Sequence, residues 1–256
     1  MKYYVVDAFA EAVFSGNPAG VCLPDRPLEA DTMLAIAAEN NLSETAFVVP
    51  EGDDFQLRWF TPAEEVDLCG HATLASAFVV ANYMRPDLEV IRFHTKSGLL
   101  EVVRSGALYE MDFPSRPPQP VEITPELTDI FGPILEAGAA RDLMLVLESE
   151  QAVAELRPDF ARVAQLDYFG VIVTARGGEA DFVSRFFAPA VGIAEDPVTG
   201  SSHSTLIPFW AGRLGKEQLL AHQLSKRGGA LYCRFCGERV KIAGAAALYL
   251  EGEIRV

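Results

Sequence analysis

Alternating apolar and polar residues predict a strand at a similar place in each half of the 256-residue chain. The segment DFQLRWF alternates and soon meets a proline, and ADFVSRFF does the same about half a chain later. Alternation over about four to eight residues indicates a half-buried strand, and a nearby proline marks its end. The same local pattern therefore occurs once in each half.

Each of these strands is followed by a loop that contains glycine and then by an apolar helix. The first helix is predicted at about 71–83 and is apolar on nearly every face, which is typical of a helix buried on all sides. The second is predicted at about 202–214, and hairpin patterns close both halves. Strand-rich sheets around one buried helix per half predict an α+β fold with two lobes.

Short repeated strings support this division into halves. RWFTPA begins at Arg58 and recurs as RFFAPA at Arg185, and HATLA begins at His71 and recurs as HSTLI at His203. Repeats in the same order favour two related structural units. The proline-rich segment 114–125 is the predicted linker because proline breaks regular structure. We therefore expect an N-terminal lobe at 1–115 and a C-terminal lobe at 116–256, related by a pseudo-twofold axis.

The charge balance excludes nucleic acid as a main partner. The chain has 36 acidic and 21 basic side chains and a formal net charge of −15 at pH 7. Such a surface repels phosphate backbones. The longest uncharged run in the first half is about 15 residues, whereas a spanning helix needs roughly 20, and no signal peptide is recognisable. We expect a cytoplasmic protein without membrane contact.

The four cysteines predict neither a disulfide framework nor a structural zinc site. Cys233 and Cys236 form a C-x-x-C pair, but a zinc site needs two more ligands and no second pair exists. On a strand, two thiols three residues apart point to opposite faces. We therefore interpret both as structural residues, and four cysteines in this length suit a reducing compartment.

Small residues at the two helix starts are candidates for anion binding. Gly70 precedes the first helix, and Gly200 and Ser201 precede the second. Unpaired N–H groups at a helix N-terminus bind anions, helped by the helix dipole. Ordinary capping by Ser and Gly explains the same residues equally well. Two such starts facing each other across the lobes would hold a small carboxylate-bearing molecule.

Three ionisable residues near these positions are candidates for acid/base chemistry. His71 could donate to a carboxylate or move a proton, and Asp196 could orient an amine or hydroxyl group. Glu44 precedes an apolar strand, where partial desolvation would raise its pKa and favour the protonated acid. The local sequence around Glu44, taken alone, favours a solvated glutamate in a turn.

Several motifs in one order resemble the phenazine biosynthesis PhzF-like family, which has the diaminopimelate epimerase fold. They are DAFAEAVFSGNPAGVCLP, NLSETAFV, FTPAEEVDLCGHATLA, EDPVTGSSH and the closing VKIAGAAALYLEGEI. The resemblance covers nearly the whole chain. It implies two similar lobes, each a mostly antiparallel sheet wrapped round a central helix, with the active site between them. It also implies a homodimer and no metal or organic cofactor.

The resemblance also implies roles for individual residues. The family's proton-shuttling glutamate falls on Glu44, and its substrate-contacting histidine and aspartate fall on His71 and Asp196. Gly70, Gly200 and Ser201 match the positions at the helix starts, where they would bind the substrate. These matches predict an isomerase that acts by acid/base proton transfer on a small unsaturated amino or hydroxy carboxylic acid.

Cys69 and Thr199 decide between this reaction and stereoinversion. Racemases and epimerases of this fold use two cysteines on opposite faces of the substrate carbon, and here Thr199 takes the second position. A threonine hydroxyl is far too weakly acidic to replace a thiol. Stereoinversion by a two-base racemase or epimerase is thus disfavoured and is kept as the alternative reaction. The alternative class of protein is a non-catalytic one that binds small carboxylates.

Overall fold

The structure, a computed structural model, describes residues 1–256, which form two compact units. The first unit contains Met1–Asp112 and Ala243–Val256, and the second contains Phe113–Ile242. The division near residue 112 lies close to the expected boundary at 115/116. The assignment of the C-terminal residues to the second lobe was wrong, because residues from 243 onward pack in the first unit.

Strand pairing explains why the C-terminal residues belong to the first unit. The last strand, β18 (Ala246–Glu253), lies antiparallel to the first, β1 (Lys2–Ala8), with Lys2 opposite Glu253. This pairing joins residues that are about as far apart in sequence as the chain allows. Local hydrophobic patterning carries no information on such a partner.

The first unit also contains most of the strands and helices of the N-terminal half. These are β2 (Asn17–Leu23), α1 (Ala30–Asn40), β3 (Glu44–Glu51), β4 (Asp54–Phe60), β5 (Glu65–Val66), α2 (Gly70–Val79), β6 (Val90–Thr95), β7 (Gly98–Ser105) and most of β8 (Leu108–Pro114). A π-helical turn, Val80–Met84, continues α2.

The helix α2 is the central helix of the first unit. It packs against β1, β2 and β3, and every residue from His71 to Ala77 is buried. Most of these residues are Ala, Thr or Ser, whose small side chains let a helix lie close to a sheet. The structure confirms the predicted helix buried on all sides.

The second unit contains the remaining strands and helices. These are β9 (Gln119–Pro120), α3 (Pro125–Phe131), β10 (Glu136–Ala139), β11 (Leu143–Val146), α4 (Glu150–Glu155), α5 (Phe160–Val163), β12 (Val171–Arg176), β13 (Phe182–Ala188), β14 (Ile193–Asp196), α6 (His203–Leu214), β15 (Gln218–Gln223), β16 (Gly229–Cys236) and most of β17 (Arg239–Gly244). A short 3-10 turn, Pro189–Val191, follows β13.

Both units repeat one pattern of strand pairing. In the first unit β2 and β3 are parallel, β3 and β4 antiparallel, and β4 and β6 parallel. In the second unit β11 and β12 are parallel, β12 and β13 antiparallel, and β13 and β15 parallel. The buried helices α2 and α6 follow β5 and β14, respectively. The prediction of an α+β fold with two similar, mostly antiparallel sheets and one central helix in each is confirmed.

Each unit has its own apolar interior. In the second unit Leu145, Val173 and Phe187 belong to one buried cluster, and in the first unit Ile36, Phe47 and Phe60 belong to another. No helix is long and apolar enough to cross a membrane. Because each sheet packs on its own buried apolar cluster, the residues at the starts of α2 and α6 lie on a rigid framework.

Candidate active site

Glu44 is held by the backbone at the start of a buried strand. Asn41 ends α1 in the left-handed conformation, with φ of 50°, which asparagine tolerates better than most residues. The strand β3 then begins at Glu44, which lies opposite Ala19 of β2 in parallel register. The Glu44 side chain is 13% exposed. Glu44 is therefore not a solvated turn residue, as the local sequence alone favoured.

His71 brings Glu44 into a small polar cluster at the start of α2. Its Nε2 atom lies 3.0 Å from Glu44 Oε2, although Oε2 makes no aligned hydrogen bond. Its Nδ1 atom lies 3.3 Å from Asn17 Nδ2 and 3.6 Å from Cys69 Sγ. These contacts fix both sides of the imidazole ring. Sequence reasoning missed Asn17, which β2 brings beside α2.

The ion pair reverses the expected charge state of Glu44. Burial alone raises the pKa of Glu44, but the positive His71 beside it more than offsets burial, and the pKa is lowered. Burial likewise lowers the pKa of His71, whereas the acidic groups of Cys69 and Glu44 raise it by more, to well above its usual value. The prediction of a protonated Glu44 at neutral pH was therefore wrong. Both shifts favour an ionised Glu44 beside a protonated His71.

Cys69 lies in the same cluster but is a weak acid. Its thiol is buried, and both burial and the negative charge of Glu44 raise its pKa. The nearby His71 acts in the opposite direction without reversing the shift. Because the thiolate is the form that accepts protons or attacks, Cys69 is poorly suited to act as the base.

In the second unit, Asp196 is held by neighbouring polar groups at the end of β14. Thr199 Oγ1 donates to Asp196 Oδ2 at 2.5 Å, and Gln223 Nε2 donates to the Asp196 carbonyl at 2.8 Å. The Thr199 N–H in turn donates to Gln223 Oε1. The Thr199 hydroxyl therefore orients the Asp196 carboxylate. Gln223, on β15, carried no recognisable signal in the sequence.

Both helix starts present N–H groups that the protein itself does not use. No side chain caps α2 or α6. The Ser202 hydroxyl, which could have capped α6, donates to the Thr199 carbonyl instead. The amides of Gly70, Gly200 and Ser201 make no hydrogen bond within the protein. Of the two explanations for these small residues, side-chain capping does not apply.

Arg141 is a further charged group beside the α6 start that sequence reasoning missed. Its Nη2 donates to Ser201 Oγ at 3.2 Å, and its guanidinium forms two-point hydrogen bonds with Asp142. The Arg141 Cζ atom also lies 4.5 Å from the Phe169 ring centroid. These contacts hold the guanidinium in one place. The only local signal is an Arg–Asp pair before an apolar strand.

The predicted site residues thus form one group in each unit. In the first unit the structure brings Glu44 and His71 into contact and places Gly70 next to His71. In the second unit Asp196, Gly200 and Ser201 lie along one short segment before α6. Each group combines a positioned carboxylate with unpaired helix N–H groups.

The sequence matches the phenazine biosynthesis-like protein family over residues 6–252. The chain belongs to this family. An uncharacterized isomerase of Pseudomonas aeruginosa is 52% identical over 258 residues, which cover 100% of this chain and 99% of that protein. An uncharacterized isomerase of Halalkalibacterium halodurans is also similar to this chain: it is 46% identical over 98% of this chain and 97% of that protein. This phenazine biosynthesis-like protein is an enzyme of the isomerase class.

Solved structures show the same fold. A phenazine biosynthesis PhzF-family protein of Enterococcus faecalis matches with a TM-score of 0.98 at 50% identity, covering 100% of this chain and 99% of that one. A hydroxyproline epimerase of Agrobacterium vitis matches with a TM-score of 0.63 at 12% identity, covering 98% and 91%. This protein therefore shares its fold with a hydroxyproline epimerase.

Proposed function

We propose that the protein is an isomerase that moves a proton within a small unsaturated amino or hydroxy carboxylic acid. Glu44 is the proton shuttle, and the chain's own side chains carry every step. The observation that supports this proposal best is the 3.0 Å contact between Glu44 and His71. It keeps a partly buried carboxylate ionised, which is the state that a general base requires.

The reaction begins with the removal of a carbon-bound proton by Glu44. The C–H bond breaks, the electron pair moves through the adjacent double bond, and Glu44 becomes a neutral acid. The carboxyl proton of Glu44 exchanges with solvent, Glu44 delivers a proton to another carbon, and the double bond shifts. The imidazolium of His71 favours the ionised form of Glu44 before and after the transfer. No oxidant or reductant is needed, because the atoms and electrons balance within the substrate.

The substrate carboxylate is bound by groups other than the shuttle. The amides of Gly70, Gly200 and Ser201 make no hydrogen bond within the protein, and the dipoles of their helices favour an anion. Arg141 adds a guanidinium beside Ser201, although Asp142 shares its charge. Asp196, oriented by Thr199, accepts a hydrogen bond from an amine or hydroxyl group of the substrate.

A second candidate reaction is a two-base racemisation or epimerisation. It is favoured by the position of Cys69, which lies 3.6 Å from the His71 ring. The hydroxyl at Thr199 argues against it, because that hydroxyl donates to Asp196 and is not acidic enough to act as the second base. Inversion at the exchanging carbon would identify this reaction.

The test compares Glu44→Gln with Glu51→Gln, an exposed glutamate at the far end of the same strand. Wild type and both variants are incubated in deuterated buffer with a panel of unsaturated amino and hydroxy acids, and deuterium incorporation is followed by NMR. We expect Glu44→Gln to lower the rate by at least about 10² to 10⁴-fold, the usual range for a general acid or base. Glu51→Gln should match wild type.

Calorimetric titration with the exchanging acid separates binding from turnover. Glutamine keeps the shape of glutamate, and the helix amides are unchanged, so affinity should change little in Glu44→Gln. A Glu44→Gln enzyme that incorporates deuterium near the wild-type rate would remove Glu44 from the mechanism. His71 would then be the next candidate.

We also propose that the protein is a homodimer. The first unit exposes Phe14, which is 72% exposed, and Tyr249, which is 56% exposed, and their rings are in edge contact. Leu250 on β18 is exposed as well. Grouped apolar side chains of this kind mark association surfaces. Light scattering at micromolar concentration should give twice 27.8 kDa, and a clean 27.8 kDa species would reject the dimer.

A cytoplasmic location is proposed from the cysteines. All four are free thiols, and Cys236 is exposed. Free exposed thiols persist where the surroundings are reducing. Fractionation of cells that express the protein at its natural level would test this location.

A further inference from the structure

Glu44, Cys69 and His71 offer three different metal-ligating groups in one place in the first unit. Their carboxylate, thiol and imidazole atoms all lie within 4.8 Å of one another. Glu44 Oε2 lies 3.0 Å from His71 Nε2, which lies 4.0 Å from Cys69 Sγ. Nothing in the proposed isomerisation requires the thiol to be part of this cluster.

The distances approach those of a tetrahedral zinc site. Zinc binds sulfur at about 2.3 Å, imidazole nitrogen at about 2.0–2.1 Å and carboxylate oxygen at about 2.0–2.2 Å. At tetrahedral angles these bonds separate neighbouring ligand atoms by about 3.4–3.6 Å. The two separations that involve His71 Nε2, 3.0 Å to Glu44 Oε2 and 4.0 Å to Cys69 Sγ, lie on either side of this range. Side-chain shifts of about 0.5 Å would therefore suffice, and the fourth position would be left for water.

The donor set also selects the kind of cation. Thiolate and imidazole favour zinc and similar thiophilic ions over magnesium or calcium, which require oxygen ligands. Thiolate and carboxylate together bring two negative charges to the start of α2, where the positive end of the helix dipole stabilises negative charge. His71 Nδ1 lies 3.3 Å from Asn17 Nδ2. A half-turn of this amide would bring its oxygen to accept the Nδ1–H of a zinc-bound imidazole, and zinc-bound histidines have such an acceptor as a rule.

We propose that Glu44, Cys69 and His71 bind one zinc ion, and that this ion inhibits the enzyme. On binding, the thiol and the imidazolium each release one proton to the buffer, and the carboxylate of Glu44 becomes a ligand. The claim of binding depends on the geometry alone. The claim of inhibition rests on the proposed function, since it requires Glu44 to be the proton shuttle.

Metal titration tests the binding claim without any substrate. Reduced protein is freed of metal with EDTA and desalted, and zinc is titrated against a chromophoric indicator. We expect one zinc per chain in wild type. Cys69→Ser should bind more than about 10²-fold more weakly, beyond the effect of losing an outer-shell partner. Cys236→Ser removes an exposed thiol from the second unit and should bind as wild type does.

Cobalt(II) supplies a signature that a structural effect of the substitution cannot imitate. Wild type and Cys236→Ser with cobalt should show a thiolate-to-metal charge-transfer band, and Cys69→Ser should lack it while keeping the wild-type circular dichroism spectrum. Equal zinc affinity in Cys69→Ser, or a cobalt band that survives there, would overturn the proposed site.

Deuterium incorporation tests the inhibition claim separately. Stoichiometric zinc should abolish incorporation by wild type and by Cys236→Ser, and EDTA should restore it. Zinc that binds through Cys69 while incorporation continues would keep the metal site and overturn inhibition, and with it the role of Glu44. If Glu44→Gln keeps its activity while wild type still binds zinc, the metal site stands, and the role of Glu44 as the proton shuttle is overturned.

Discussion

The two units keep an arginine at the same place in their sheets. Arg58 of β4 and Arg185 of β13 both place Nε 2.7 Å from a glutamate, Glu65 in one unit and Glu195 in the other. Each guanidinium also lies against a phenylalanine ring two residues further along its strand. The framework of the repeat has therefore been kept down to individual contacts.

The histidines at the start of the two central helices differ sharply. His71 of α2 faces a carboxylate, and its pKa is raised well above the usual value even though burial opposes this. His203 of α6 is fully buried, its Nδ1 lies 2.8 Å from the Thr199 carbonyl, and its ring lies near Phe182. Burial lowers the pKa of His203 to about 4.

The difference between these histidines lies in their neighbours and not in the helix that carries them. A carboxylate supplied by β3 raises the pKa of His71, whereas burial lowers the pKa of His203 by more than the Thr199 carbonyl raises it. One unit thus holds an acid/base pair and the other holds a structural histidine. A repeated sequence preserves the framework, and a single contact sets the chemistry.

The largest expected effect separates the two histidines by activity. His71→Asn should lower turnover by about 10² to 10⁴-fold, because Glu44 loses the positive charge that keeps it ionised and in place. His203→Asn should change the rate per folded molecule little, since His203 has a structural role. Deuterium incorporation, normalised to folded protein, measures both. Equal losses in the two variants would contradict the assigned difference.

The repeated arginines should differ in their effect on stability. Arg185 is 7% exposed and also donates to the Val153 and Leu156 carbonyls, so Arg185→Gln should lower the free energy of unfolding by about 3–5 kcal/mol. Arg58 is 34% exposed, and Lys96 remains to pair with Glu65, so Arg58→Gln should cost about 0–1 kcal/mol. Urea denaturation measures the loss of unfolding free energy in both variants. A larger loss in Arg58→Gln than in Arg185→Gln would show that side-chain exposure does not set the size of the loss.

The two histidines should also give the stability opposite pH dependences. The folded pKa of His203 is about 4, below its unfolded value near 6.5, so His203 stabilises above pH 6.5 and loses about 3 kcal/mol as pH falls toward 4. The folded pKa of His71 is raised, so its contribution is complete below pH 6.5 and is lost as pH rises through the folded value.

Urea denaturation from pH 4 to 9 distinguishes these contributions. His203→Asn should flatten the loss of stability on the acid side, and His71→Asn should flatten the loss on the alkaline side. A wild-type acid slope that persists unchanged in His203→Asn would assign that slope to carboxylates such as Glu44, whose lowered pKa also removes stability as pH falls.

The smallest expected effect concerns Cys69 and its counterpart Thr199. Cys69→Ser should lower turnover by at most about tenfold, far less than Glu44→Gln, because the buried thiol has a raised pKa and lacks a second thiol as partner. The measurement is deuterium incorporation with the same substrate. A loss as severe as that of Glu44→Gln, with the fold intact, would make the thiol an essential acid or base and favour the racemase alternative.

Hydrophobic patterning was sufficient to predict both central helices. The helix expected at 71–83 begins at Gly70, and the one expected at 202–214 begins at His203. Both predictions used local periodicity, which depends on residues a few positions apart. The pairing of β18 with β1 was missed because strand partners at opposite ends of a chain leave no local trace.

The candidate site was predictable in its residues but not in its charges. Motifs pointed to Glu44 and His71, yet the apolar residues after Glu44 suggested a protonated carboxylate, and the structure shows an ion pair. Arg141 had no signal beyond the Arg–Asp pair before an apolar strand, because its relevance depends on Ser201, which lies far along the chain. Contacts between distant residues are what the sequence pattern does not contain.

The sequence by itself determined the duplicated framework, the buried helices and the identity of the candidate acid/base residues. These features depend on periodicity, on repeated strings and on motifs that can be read along the chain. Only the tertiary structure decided that the pKa of Glu44 is lowered, that the pKa of His71 is raised and that the pKa of His203 is lowered. Coulombic interaction and desolvation vary steeply over a few ångströms, and such distances are set by packing between segments that are remote in sequence.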